Sequence, residues 1–191
     1  MSEVSIQPIE AMSDNASAVV DLTAQDLRRA GMDRYEAEAF ADPTSLEHRE
    51  RQLEKLAQHP DRYLGAFATG QLVGFSKSNE WLAGDQIPFA SKLGRSALRL
   101  MTKVVYNHLD GRPFGIHGLV VNQELDSPDE VIQDLLSRAI AAADRHEVRI
   151  AQYFMDPIQP LLRQNGFVPT GKFGRPIGEL NQQLFSRPGS F

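Results

Sequence analysis

Apolar residues recur at two different periods along this chain, and the two periods take turns. Val4-Ser5-Ile6-Gln7 alternates apolar with polar, the period of a strand with one buried face. Val19, Val20, Leu22 and Leu27 then recur at helical spacing. The alternation continues to the C-terminus and gives the order β-α-α-β-β-(α)-β-α-β-α-β-β. A chain patterned this way can bury its strands only in a sheet covered by its own helices, with hairpins wherever two strands follow one another. The expected fold class is therefore α/β, with a mixed sheet, helices on both faces and an inserted amphipathic helix.

Local signals set the boundaries. Ser13-Asp14-Asn15 supplies N-cap chemistry for the first helix, and Gly31 a stop. Pro8 sends the first strand to an edge or a bulge, because proline cannot donate to a ladder. Residues 32–45 read as irregular. A second helix spans Leu46 to Gln58 and is broken by His59-Pro60-Asp61. Tyr63 to Ala68 and Leu72 to Ser76 read as the two arms of a hairpin around Thr69-Gly70-Gln71. Ile116 to Val121 is the next strand. Ser127-Pro128-Asp129-Glu130 opens a long helix through Ala143, with Ser127 and Glu130 spaced as a capping box and Pro128 at the favoured first position. Val148 to Phe154 is a strand, Asp156-Pro157 starts a short helix ended by Asn165-Gly166, and Phe167-Val168 and Leu180 to Phe185 are the last two strands. Gly174 and Gly178 belong to a turn, their spacing being wrong for a dinucleotide loop.

Segment 85–112 stands apart. Leu93, Ala97, Leu100, Met101, Val104 and Val105 fall at helical spacing, while Lys92, Arg95, Arg99 and Lys103 line another side. The segment carries a net charge of +3 within a chain of −5. Three readings stay open: a lid over a substrate site, a docking face for an acidic partner at 92–103, or a solvated face whose other side packs on the sheet.

Length and composition bound the rest. At 191 residues one domain, 1–191 with the 85–112 insertion, is the natural expectation. Without cysteine there is no disulfide framework, thiol nucleophile or thiolate metal site, and the five histidines lack metal-ligand spacing. An excess of acidic residues points away from nucleic acid. The first residues carry no leader pattern and no apolar run approaches the ~18–20 residues that span a bilayer, so a cytoplasmic protein without a membrane partner is expected. A homodimer is compatible with all of this.

The ordered series from 114 to 187 resembles the GNAT superfamily of acyl-CoA-dependent N-acyltransferases. Leu119-Val120-Val121 resembles the end of that family's central strand. The helix with Leu135-Leu136 resembles its cofactor helix, and Leu161-Leu162-Arg163-Gln164-Asn165-Gly166-Phe167 its closing helix and Gly-Phe corner. The resemblance implies transfer of an acyl group, commonly acetyl, from acetyl-CoA or another acyl-CoA to an amine of a small molecule or peptide. It implies that the strand backbone of Leu119, Val120 and Val121 meets the cofactor arm. It also implies that the segment holding Ser127, Asp129, Glu130, Val131 and Ile132 meets the pyrophosphate.

Two departures accompany the resemblance. The family's phosphate loop follows Q/R-x-x-G-x-G/A, and Ser127 to Ile132 contain none of those residues. Instead, Glu124, Asp126, Asp129 and Glu130 bring four negative charges. The family's acid, a Tyr four residues before the Gly of Gly-Phe, is Leu162 here. Tyr153, at the end of the preceding strand, is the nearest phenol. For the base, the candidates are Glu80, at the hairpin's end, and His117, whose imidazole ordinarily titrates near about pH 6.5. The alternative is a GNAT-fold binding or interaction protein that has lost CoA binding.

Overall fold

The structure is a computed structural model and describes residues 4–80, 113–143, 146–153, 158–173 and 182–189. The 85–112 helix with its basic face, the turn at 174–178, and the strand and helix ends expected at Phe154 and Asp156-Pro157 lie outside the described residues. The elements are β1 (Val4–Pro8), α1 (Ser13–Arg29), α2 (Arg34–Ala41), α3 (Leu46–Gln58), β2 (Tyr63–Ala68), β3 (Gln71–Glu80), β4 (Phe114–Val121), α4 (Pro128–Ala142), β5 (Val148–Tyr153), α5 (Gln159–Gln164), β6 (Val168–Phe173) and β7 (Gln182–Arg187). This is the expected mixed, mostly antiparallel α/β arrangement. The residues group into two compact units, Met1–Ser78 with Gly118–Ala139, and Asn79–His117 with Ile140–Phe191.

In the first unit the strand order is β1-β2-β3-β4. β1 and β2 pair antiparallel from Val4↔Ala68 to Pro8↔Leu64, and β2 and β3 from Tyr63↔Lys77 to Ala68↔Gln71, with a register shift at Ala66/Phe67. Thr69 and Gly70 both have positive φ, 51° and 80°. That is the backbone twist a two-residue hairpin turn demands. α1 packs on α2 and α3. Ile9, Ala16, Val19, Leu22, Leu56, Tyr63, Phe75 and Val120 form one apolar cluster. Each Val, Leu, Ile or Phe side chain taken out of water contributes about 1.5–3 kcal/mol, so the cluster fixes how α1 and α3 lie on β2 and β3.

In the second unit the order is β4-β5-β7-β6. β5 pairs antiparallel with β7 from Val148↔Arg187 to Tyr153↔Gln182, and β6 with β7 around a register shift between Pro169 and Phe173. Ile116, Val148, Ile150, Leu162, Phe167, Leu184 and Phe185 are buried. Gly166, at φ 79°, stops α5, and Arg187 Nε donates to the Asn165 carbonyl at 2.8 Å.

Two expectations are corrected. Residues 32–45 are not irregular throughout: α2 occupies 34–41, capped by Asp33, whose carboxylate accepts from the Glu36 N–H at 2.9 Å. The cap satisfies a first-turn donor, and burial of Ala37 and Ala41 anchors the helix. α1 does not use Ser13-Asp14-Asn15 as its cap. Met12 holds that position without a side-chain bond, and Asn15 instead donates from Nδ2 to the Glu10 carbonyl at 3.0 Å.

Candidate functional site

β4 carries the site candidates because of how it pairs and where it ends. Its parallel ladder with β5 covers Phe114↔Val148, Gly115↔Arg149 and Ile116↔Ile150. The strand itself runs on to Val121. Towards β3, an ideal Cβ on Gly74 would stand 2.8 Å from Val121 Cγ2, and one on Gly118 would stand 3.8 Å from Lys77 Cβ. The two strands therefore run antiparallel in close contact there. The Asn122 N–H adds a bond to the Val73 carbonyl at 2.8 Å.

Beyond Val121 the chain turns on its own side chains. Asn122 Oδ1 accepts from the Glu124 N–H at 2.9 Å, and Gln123 Nε2 donates to the Val121 carbonyl at 3.0 Å. Asn after a strand is the one sequence cue for such a turn. Neither Asn122 nor Gln123 stood out in the sequence as a turn residue. α4 then begins at Pro128.

The capping box does not form. Among the described residues, neither the Ser127 hydroxyl nor the Glu130 carboxylate makes a hydrogen bond to the first turn. Glu130 is exposed, so water satisfies it at little cost and the reciprocal bond gains little. The amides of Asp129 and Glu130 thus keep their outward donors, at the positive end of the helix dipole. Glu124, Asp126, Asp129 and Glu130 are all exposed. Val131 and Ile132 are buried, and their amides fall beyond the donors that the first turn leaves open, so neither offers a ligand a side chain or a free N–H.

The remaining candidates sit as follows. His117 lies within β4 and is exposed, whereas Leu119, Val120 and Val121 are buried. Glu80 closes β3 and Tyr153 closes β5; the side chains of both lie outside the described residues. His117, Glu80 and Tyr153 belong to the second unit, and the cofactor candidates to the first. Leu162, at the family's acid position, is fully buried on α5 and takes part in the core only. Among the described residues no cluster of His, Asp or Glu could hold a metal ion, and no helix is long and apolar enough to cross a membrane.

Solved structures with the same arrangement identify the fold. An N-acetyltransferase, PaiA, from Thermoplasma acidophilum, solved with coenzyme A, superposes with a TM-score of 0.63 at 14% identity, covering 97% of this chain and 99% of that one. The chain has the GNAT fold. A GCN5-related N-acetyltransferase from Ralstonia eutropha gives 0.58 at 20% identity over 92% and 99% of the two chains. A ribosomal-protein-alanine N-acetyltransferase from Brucella melitensis gives 0.57 at 17% identity over 96% and 99%. No family model and no curated protein sequence matches the chain. The GNAT fold is thus present here at 14–20% identity to those structures, with a first turn on α4 that is acidic.

Proposed function

We propose that this GNAT-fold chain is a cytoplasmic N-acetyltransferase that moves an acetyl group from acetyl-CoA to an amine of a small molecule or peptide. The observation that carries the reading is the three-residue parallel ladder at the start of β4, followed by strand, turn and an uncapped α4. A strand continuing past its ladder offers backbone for an extended cofactor arm, at Leu119–Val121. Uncapped amides at a helix start suit a pyrophosphate, and those of Asp129 and Glu130, with the Ser127 hydroxyl, would hold it. Bound acyl-CoA would supply an activated thioester.

The chain's own residues would handle protons and position. As the amine nitrogen bonds to the thioester carbonyl carbon, the carbon–sulfur bond breaks. The ammonium proton must leave and the thiolate must gain one. His117 or Glu80 would take the first, and Tyr153 would deliver the second. Backbone amides of Leu119 to Val121 would polarise the carbonyl.

Charge sets the affinity. A helix end contributes about 0.3–1 kcal/mol to a bound anion. A like charge about 4 Å away costs about 1 kcal/mol in water. The exposed carboxylates therefore offset the helix, and binding rests mainly on the strand. A thermal melt with acetyl-CoA tests this: a ligand at 100 times its Kd adds about 2.7 kcal/mol, or about 5–10 °C for a chain of this size. Asp129→Asn with Glu130→Gln should tighten acetyl-CoA binding several-fold, and an unchanged affinity would refute the charge argument. No melting shift at millimolar acyl-CoA would replace the enzyme reading with a GNAT-fold binding module, which the absent glycines and buried Leu162 favour.

A further inference from the structure

The peptide that closes β4 shows which way the strand's polar groups face. The Asn122 N–H donates to the Val73 carbonyl on β3 at 2.8 Å. In a planar trans peptide the carbonyl of one residue and the N–H of the next point in opposite directions, and the described residues contain no cis peptide. The Val121 carbonyl therefore points away from β3. Polar groups change sides with each residue along a strand, so those of Leu119 face the same way. The ladder to β5 ends at Ile116↔Ile150, and both residues lie beyond it.

One acceptor on this flank is already taken. Gln123 Nε2 donates to the Val121 carbonyl at 3.0 Å, reaching back two residues. Val121 is buried, whereas Gln123 is exposed. A carbonyl at the edge of the core needs a donor, and the side-chain amide supplies it. That amide has the donor chemistry of a main-chain N–H. Gln123 thus stands where the N–H of an extended chain lying along β4 would dock. Its exposure lets it leave at small cost, since water then satisfies the amide while the incoming chain satisfies the carbonyl.

We propose that Gln123 is an internal competitor for the open flank of β4: it holds the Val121 carbonyl in the free chain and swings out when a ligand bearing secondary amides pairs along Leu119 to Val121. The inference rests on the acetyltransferase reading for the ligand, an acyl-CoA arm, and on the Gln123 contact for the competition. All the residues involved belong to the first unit. Gln123 then sets affinity and takes no part in the chemistry.

Pantetheine is the probe, because it carries the secondary amides of the cofactor arm and no phosphate, so the carboxylates around α4 do not enter. Calorimetric titration compares the full-length parent with Gln123→Ala and Gln123→Glu, both of which remove the donor. Each variant should bind pantetheine about two- to tenfold more tightly, the span of one neutral hydrogen bond, and Gln123→Ala should gain the same factor for coenzyme A. Melting temperatures should stay near that of the parent, since the side chain is exposed. In NMR spectra of the parent, saturating ligand should move the Gln123 side-chain amide signals to the positions of a water-exposed glutamine. Variants that bind no tighter than the parent, or Gln123 signals that stay in place with ligand bound, would overturn the proposal and leave the transferase reading standing. No binding of pantetheine or coenzyme A by any of the three proteins would sink the transferase reading and the proposal with it.

Discussion

Gly74→Ala should loosen the contact between β3 and β4 that fixes the end of β4. The added methyl would sit 2.8 Å from Val121 Cγ2, 3.0 Å from the Val120 carbonyl oxygen and 3.3 Å from Val121 Cα. Carbon atoms prefer about 3.5–4.0 Å, so the overlap with Cγ2 approaches about 1 Å. Val121 cannot swing aside easily, being β-branched and 6% exposed. The carbonyl is backbone and moves only with its strand. Overpacking of this kind costs about 1–3 kcal/mol. The alanine recovers about 0.4–1 kcal/mol by restricting the unfolded chain. A net loss of about 1–2 kcal/mol remains, or roughly 2–8 °C in Tm at this size. Calorimetric melts of the parent, Gly74→Ala, Val121→Ala and the double variant measure it. Removing Cγ2 relieves the worst contact, so the double variant should be more stable than the two losses added together, by about 0.5–1.5 kcal/mol. Acetyl-CoA affinity should fall in Gly74→Ala as Val121 shifts. A Gly74→Ala protein that melts at or above the parent, or losses that simply add, would refute the reasoning.

Thr69→Asn should raise Tm by about 1–4 °C in the same melts, because Asn tolerates the positive φ of 51° that a β-branched residue resists and Asn-Gly is a favoured pair in this turn. A fall in Tm would show that the Thr69 hydroxyl, which donates to the Ala68 carbonyl at 2.7 Å, matters more than the backbone. For Lys55, the folded chain gives up the proton at a lower pH than the unfolded chain, whose lysine titrates near 10.5. Between those two values the unfolded state binds more protons, so this residue's contribution to stability rises with pH there. Urea midpoints across that window should climb more steeply in the parent than in Lys55→Met, and Lys55→Met should be the more stable of the two at neutral pH. Parallel pH curves would refute the assignment.

The parts of the fold that were legible are those with strong periodic patterns or unmistakable punctuation. α3 appeared at Leu46–Gln58 because Leu53 and Leu56 set a stripe and His59-Pro60 ended it, and the hairpin appeared because Thr69-Gly70 separates two apolar runs. α2 was not legible: its buried residues are two alanines, while Tyr35 and Phe40 are exposed, so no apolar stripe forms. β3 continues to Glu80, past the apolar Leu72 to Phe75, through a polar stretch that period alone cannot assign. At the site, the position of α4 was readable, but the capping box was not. Spacing shows which side chains can reach an amide, and hydration decides whether they do.

Among the described residues the outermost strands, β1 in one unit and β6 in the other, each contain a proline, Pro8 and Pro169. A border strand is normally an open template on which a further chain can crystallise by main-chain bonding. Here each border has a missing donor, and β6 adds an irregular register as well. A neighbouring molecule is thereby denied a continuous rail of donors along either of these two borders.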